Sequence, residues 1–314
     1  MASKMTRRNF LGCALGGAAF LGSGCSLKAV WPVTGVRKRS LRLCFYTDVH
    51  ARTEWDTPNA MARAADAINA RKSDMVMAGG DLITDGFQSP LKKTVPRWEA
   101  YLKMHRAIRG NVYPALGNHD LTAADPEDGS PAAKNPRRVF LERMGLDRTW
   151  YTFDAAGYHF IFLDAVDITR DQYRYRGFIP AEQMEWLKQD LAKLSKSTPI
   201  IVVTHMPLLT AFYSAVKGSG FPVKPNRVII NNHEVLKLFE SHNLILVLQG
   251  HLHVHEMMRW RNTTFITGGA VCGKWWRGNW YGTEEGFCDI TLGDNYATCS
   301  YVDYHWTAKR PVNR

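Results

Sequence analysis

A chain of 314 residues, 45% hydrophobic and 22% charged, can form one large domain or two small ones and needs no covalent or metal staple to fold. The net charge of +11 suggests an anionic polymer as partner, but its distribution argues against a basic binding face. Of 40 Lys and Arg, seven lie in residues 1–40, which hold no acid; the remaining 33 stand against 29 acidic residues without a dense basic run, so no nucleic-acid complex is expected.

Residues 1–25 read as a signal peptide. A charged start carries Arg7 and Arg8, a weakly apolar Gly/Ala-rich run follows, and small residues lie at 22–24. The apolar run is too short to span a bilayer as an ordinary helix. Thr6-Arg7-Arg8-Asn9-Phe10-Leu11 resembles the twin-arginine consensus, which implies passage through the twin-arginine translocation machinery to the periplasm or cell envelope. Leu21 to Cys25 resembles a lipobox with the Leu one place too early, so lipid anchoring through Cys25 and plain cleavage after Gly24 are both open. Residues 26–40, broken by Pro32 and Gly35, read as an unstructured tether.

Beyond it, residues 41–47 form an apolar strand running into Asp48-Val49-His50. Residues 58–71 show helical spacing through Met61, Ala64, Ala65 and Ile68. A short buried strand at 75–78 ends in Gly79-Gly80-Asp81, a helix fits 97–108, and a strand at 112–116 ends in Gly117-Asn118-His119-Asp120. Residues 121–136 are a Pro-, Asp- and Gly-rich loop, followed by a helix at 137–144. Segments 150–153 and 158–163 flank Ala156-Gly157 as a hairpin, and Pro180 opens a helix at 181–194. A strand at 200–204 ends at His205, and 211–228 is an irregular insertion. A helix at 234–241 precedes a strand at 244–248, which ends at Gly250-His251-Leu252-His253; 264–267 and later segments read as β. Strands alternating with helices indicate an α/β fold, with one domain over 41–314 and residues 271–314 as its C-terminal β and aromatic extension. Cys44 falls in a buried strand pattern; two of Cys272, Cys288 and Cys299 could pair, with no pairing indicated.

The recurring feature is an apolar strand that ends in a metal-capable side chain: Asp48, Asp81, Asn118, His205, His251. Ligand sites of α/β sheets gather at the carboxyl ends of strands. Asp, Asn and His donors without thiolate suit Mn, Fe or Zn. Asp48 and His50, like His251 and His253, are two apart, which in extended chain aims both at one volume. Glycines at 80, 117 and 250 allow sharp turns or close approach. Each piece alone is weak; Gly-His-x-His is the most specific, and the five in order are very improbable by chance.

This ordered set resembles the calcineurin-like metallophosphoesterase family over residues 41–270. The resemblance implies a four-layer α/β/β/α sandwich of two mixed β-sheets flanked by helices. It implies two divalent or mixed-valence metal ions, one held by Asp48, His50, Asp81 and His253 and the other by Asp81, Asn118, His205 and His251, with Asp81 bridging. His119 would bind phosphate and protonate the leaving group, and Asp120 would orient His119. The implied activity is phosphoester hydrolysis, with diesters slightly favoured over monoesters. A non-catalytic metal-bound interaction module is the alternative, against which the complete donor set and His119 count. Purple acid phosphatases carry a metal-bound tyrosine three residues after the bridging Asp; here that residue is Thr84, so a tyrosinate–iron colour is not expected.

Other residues are candidates for substrate contact. Tyr173, Arg174, Tyr175 and Arg176 could bind an anionic or sugar-bearing group, or form a solvated basic loop. Trp275 and Trp276, with Trp280 and Tyr281 nearby, offer flat apolar surfaces for a sugar, base or lipid, or pack as core. His255 could extend the histidine motif or face solvent.

Overall fold

The computed structural model describes residues 28–33, 40–293 and 296–312. The proposed signal peptide and Cys25 lie outside the described residues.

Two six-stranded mixed sheets face each other. In the first, β2 (Leu41–Tyr46), β3 (Met75–Ala78) and β4 (Val112–Pro114) run parallel. The C-terminal hairpin of β13 (Gly286–Gly293) and β14 (Tyr296–Asp303) lies antiparallel beside β2. In the second sheet, β6 (Tyr158–Leu163), β9 (Pro199–Thr204), β10 (Asn243–Gln249) and β12 (Thr263–Gly268) are parallel, with β5 (Tyr151–Ala155) and β11 (His255–Trp260) as antiparallel edges. A short ribbon pairs β7 (Val166–Ile168) with β8 (Tyr175–Gly177).

Strand alternation explains the layering. Leu43, Phe45, Phe160, Phe162, Ile201 and Val203 meet in the core between the sheets. Their neighbours Cys44, Tyr46, Ile161 and Val202 face outward, in the cluster that includes the helices' apolar residues. On α1 (Thr57–Ala70) these are Ala60, Met61, Ala64, Ala65 and Ile68, the stripe read from the sequence. Helix α2 (Leu91–Ala107) begins a turn and a half before the expected start and carries Pro96 within it. Helices α3 (Arg138–Met144), α4 (Ala181–Leu191) and α6 (Asn232–Leu238) also contribute to this outer cluster. The architecture is therefore the expected α/β/β/α sandwich.

Three expectations need correction. Residues 28–32 are not tether: they form β1 (Lys28–Pro32), an edge strand paired along β14, where Trp31 is buried. The C-terminal β segment is built into the first sheet, where β13 lies between β14 and β2. The insertion at 211–228 contains a short helix, α5 (Phe212–Lys217), none of whose residues is buried. Cys272, Cys288 and Cys299 are free thiols, all buried, as is Cys44. No described helix is long and apolar enough to cross a membrane.

Candidate metal centre

Strand exits β2, β3, β9 and β10, with the turn of Asn118–Asp120 after β4, deliver the seven candidate ligands to one buried place. Asp48, His50, Asp81, Asn118, His205, His251 and His253 are each no more than 7% exposed. The pairing of i with i+2 works, but not through extended chain. Asp48, His50, Asp81, His251 and His253 all have left-handed backbone, with φ of 53°, 44°, 51°, 72° and 57°. Such conformations each cost on the order of 1–3 kcal/mol outside glycine and cluster at functional sites. Surrounding structure holds them: Asp48 and His50 donate their N–H groups to the carbonyls of Gly80 and Asp81.

Asp81 lies at the middle. Its Oδ2 is 3.5 Å from His50 Nε2 and 3.2 Å from His205 Nε2, so one carboxylate reaches both halves. Asp48 Oδ1 lies 3.2 Å from His253 Nε2 and 3.8 Å from His50 Nε2. His205 Nε2 lies 3.2 Å from both Asn118 Oδ1 and His251 Nδ1. Backbone carbonyls orient the rings: His205 Nδ1 and His253 Nδ1 donate to Gly79 and Gly273, and His251 Nε2 donates to Asn226. This leaves His205 Nε2, His253 Nε2 and His251 Nδ1 directed into the cluster, the tautomers that ligation requires.

The donor set fits metal ions. Asp48 Oδ1 is fully buried yet accepts no hydrogen bond, a costly arrangement unless a cation completes it. Nitrogen faces nitrogen at 3.1 Å between His50 and His253. Ligand-capable atoms of Asp81, His205 and His251 lie within 4.8 Å of one another, as do those of Asp81, His50 and His119. Electrostatics agree. Burial raises the Asp48 and Asp81 carboxyls, but the histidines, His253 and His205 foremost, hold both below the usual carboxylate range. Burial lowers His205, yet Asp81 and Asp48 bring it up to about 9; burial lowers His50 to about 4 and, with His205, His251 to about 3. The two buried carboxylates are thus held ionised by the histidines beside them, an environment that also suits cations.

Glycines make the approach possible. At Gly250 a Cβ would collide with Thr47 Oγ1 and Asp48 Oδ2, and at Gly117 with the backbone and carboxylate of Asp81. Gly250→Ala should keep the fold at a cost of about 1–3 kcal/mol of overpacking while displacing Asp48. The expected result is a Tm lowered by a few degrees together with weakened metal binding on equilibrium dialysis; wild-type affinity would contradict it.

His119 lies beside the cluster, its ring centroid 4.6 Å from that of His50. Its Nδ1 accepts a hydrogen bond from the backbone N–H of Asp85 at 2.9 Å. Asp120 does not orient it. The Asp120 carboxylate is fully buried and accepts from the amides of Leu82, Ile83 and Gly117, which fixes the β3 and β4 exits against each other. Burial, then Asp81, raises Asp120 to about 8.

The substrate candidates separate. Trp276 is fully buried, donates Nε1–H to the His50 carbonyl and packs edge-on against Trp306; it supports the metal loop and cannot touch substrate. Trp275 instead covers the centre, 4.5 Å from the His253 ring and 38% exposed. Arg174 pairs with Asp125 and Glu127 and so braces a loop, and Arg176 pairs with Asp167 across the β7–β8 ribbon. Tyr175 lies edge-on to His251 at 6.5 Å, while Tyr173 is half-buried. His255 stacks on Tyr301, outside the ligand groups. Sequence reasoning missed Asp85, Asn226 and Gly273, which act through backbone atoms and leave no side-chain signature. It also missed Cys272, whose Sγ lies 3.7 Å from His253 Nδ1.

Comparison with known proteins agrees with this geometry. Residues 41–255 match the calcineurin-like phosphoesterase family. Purple acid phosphatase 15 of Arabidopsis thaliana is 30% identical over 176 residues, 54% of this chain and 30% of its own length. Purple acid phosphatase 23 of the same plant is 26% identical over 54% of this chain and 35% of its own, so the chain spans about a third of these relatives. Among solved structures, a dimetal phosphatase from Danio rerio has a TM-score of 0.58 at 14% identity, covering 83% of this chain and 99% of its own. A purple acid phosphatase from yellow lupin seeds has a TM-score of 0.54 at 14% identity, covering 90% and 58%. The fold, the ordered ligand motifs and the match over 41–255 together establish that this chain belongs to the calcineurin-like phosphoesterase family.

Proposed function

We propose that the chain is an exported two-metal phosphoesterase with a preference for phosphodiesters. The observation that carries the diester preference is a pair of cavities that share Trp275 in their walls. One, about 470 Å³, is lined by Arg52, Thr84, Asp85, Lys274 and Arg277. The other, about 360 Å³, is aromatic and includes His251. A phosphomonoester has one substituent to place, whereas a diester has two. Asp48, His50, Asp81 and His253 would hold one ion, and Asp81, Asn118, His205 and His251 the other. Bound ions of this kind polarise phosphoryl oxygens and make water a better nucleophile at neutral pH. The protein's part is to fix the ligands, to exclude bulk water under Trp275 and to offer His119 Nε2–H to a phosphoryl oxygen. Mn, Fe and Zn all suit the donors; Thr84, at the tyrosine position of purple acid phosphatases, argues against a coloured tyrosinate site.

The test is turnover of bis(4-nitrophenyl) phosphate against 4-nitrophenyl phosphate by metal-reconstituted protein. A kcat/KM ratio of about tenfold or more for the diester is expected, equivalent to ~1.4 kcal/mol. A monoester preference of that size would overturn the diester reading. No turnover of either ester with two ions bound would favour the interaction-module alternative.

Export rests on Arg7-Arg8 and the weakly apolar run after them. Replacing both arginines with Lys should leave the protein on the cytoplasmic side in fractionation, and unchanged delivery would reject the route. In Cys25→Ser, loss of lipid labelling would support the anchor and unaltered labelling would refute it.

A further inference from the structure

We propose that the aromatic cavity binds a substrate arm made of a flat heteroaromatic ring with a second anionic group, as in a nucleotide. This rests on the phosphoesterase reading and names the substrate class of that site.

An unbroken run of rings forms the wall. From Phe221 it passes to Tyr213 at 6.0 Å, Phe212 at 5.1 Å and Tyr281 at 5.1 Å. From Tyr281 it continues to Trp280 at 4.6 Å, Trp275 at 6.3 Å and finally the ligand His253 at 4.5 Å. Six of the twelve cavity residues are aromatic and only Val216 and Leu252 are aliphatic, which favours a stacked ring over an acyl chain. The rings are left partly in water: Phe221, Trp275 and Tyr281 are 37%, 38% and 44% exposed. Contiguous exposed apolar surface of this kind marks a binding site. Helix α5, which supplies Phe212 and Tyr213, buries no residue and so adds nothing to the core. Its place is explained by lining the cavity.

Charge supplies the second element. Lys217, Lys224 and Arg227 line the same cavity, no carboxylate does, and none of the three forms an ion pair among the described residues. Arg227 follows Asn226, whose carbonyl orients His251, so one cation is tied to the edge of the metal centre. The two lysines lie farther along α5 and its following loop. A phosphoryl group on the metals, a ring against the aromatic wall and a second phosphate among these cations would satisfy every element of the cavity.

The probes are thymidine 3′,5′-bisphosphate, thymidine 5′-phosphate, octyl phosphate and inorganic phosphate. Each is titrated as an inhibitor of bis(4-nitrophenyl) phosphate hydrolysis by the metal-reconstituted full chain, and separately by quenching of tryptophan fluorescence. Affinity should fall in that order, with about tenfold or more between thymidine bisphosphate and inorganic phosphate. Phe221→Ala and Arg227→Gln should each reduce the discrimination between them severalfold or more. Equal affinity for thymidine bisphosphate and inorganic phosphate would overturn the proposal, as would stronger binding of octyl phosphate, which would assign the cavity to a lipid arm. Quenching by the thymidine ligands in that order without turnover would refute the enzymatic reading while sustaining the cavity assignment.

Discussion

Asp81→Asn should abolish binding of both metal ions together and reduce turnover by roughly 10³-fold or more, the scale expected when several kcal/mol of charge stabilisation is removed. Asp81 is the carboxylate placed between the halves, 3.5 Å from His50 and 3.2 Å from His205. Asn preserves its shape, and the amide oxygen can still accept the His119 N–H that now meets Asp81 Oδ1 at 2.7 Å. Fold and Tm should therefore change little, while the charge shared by the two sites disappears. Asp48→Asn is the control, because Asp48 faces His50 and His253 and should weaken one site only. Metal analysis after equilibrium dialysis decides the matter. Retention of one tight ion in Asp81→Asn, with loss of both in Asp48→Asn, would put the bridge at Asp48 and overturn the assignment.

Why the ligands were legible in the sequence, and their supports were not, follows from what each contributes. Asp48, His50, Asp81, Asn118, His205, His251 and His253 act through side chains at strand exits, so residue type and order reveal them. The atoms that aim them are carbonyls of Gly79, Asn226 and Gly273, which any residue type can supply. The left-handed φ values at five ligands are equally silent: Asp and His adopt that conformation more often than most non-glycine residues, but still too rarely for residue type to announce it. Adjacent tryptophans illustrate the same limit. Trp275 and Trp276 look equivalent in sequence, yet a turn with φ of 49° and 66° sends one over the metal centre and the other into the core. Most strands were readable as short apolar runs, but the placement of β13 beside β2 is a long-range pairing that local pattern does not encode. The aromatic cavity likewise joins residues 212–227 to 275–281, segments some fifty residues apart.

His119→Ala should retain both metals and lose roughly 10²–10³-fold in turnover, the effect typical of removing one preorganised donor to a developing negative charge. The ring is held by the Asp85 N–H pointing at Nδ1, so Nδ1 is the acceptor and Nε2 carries the proton. Asp120 is spent on the amides of Leu82, Ile83 and Gly117 and does not reach the ring. We propose that His119 offers its Nε2–H to a phosphoryl oxygen; the family resemblance implies instead that it protonates the leaving group. The two roles separate on leaving group. A donor to a phosphoryl oxygen loses similar factors for an alkyl ester and a nitrophenyl ester, whereas a general acid loses far more on the alkyl ester, whose departing oxygen needs a proton. Similar losses in kcat/KM on both esters, with metal content unchanged, are the expected result. A loss at least tenfold greater on the alkyl ester would restore the acid role; loss of metal would make His119 a ligand.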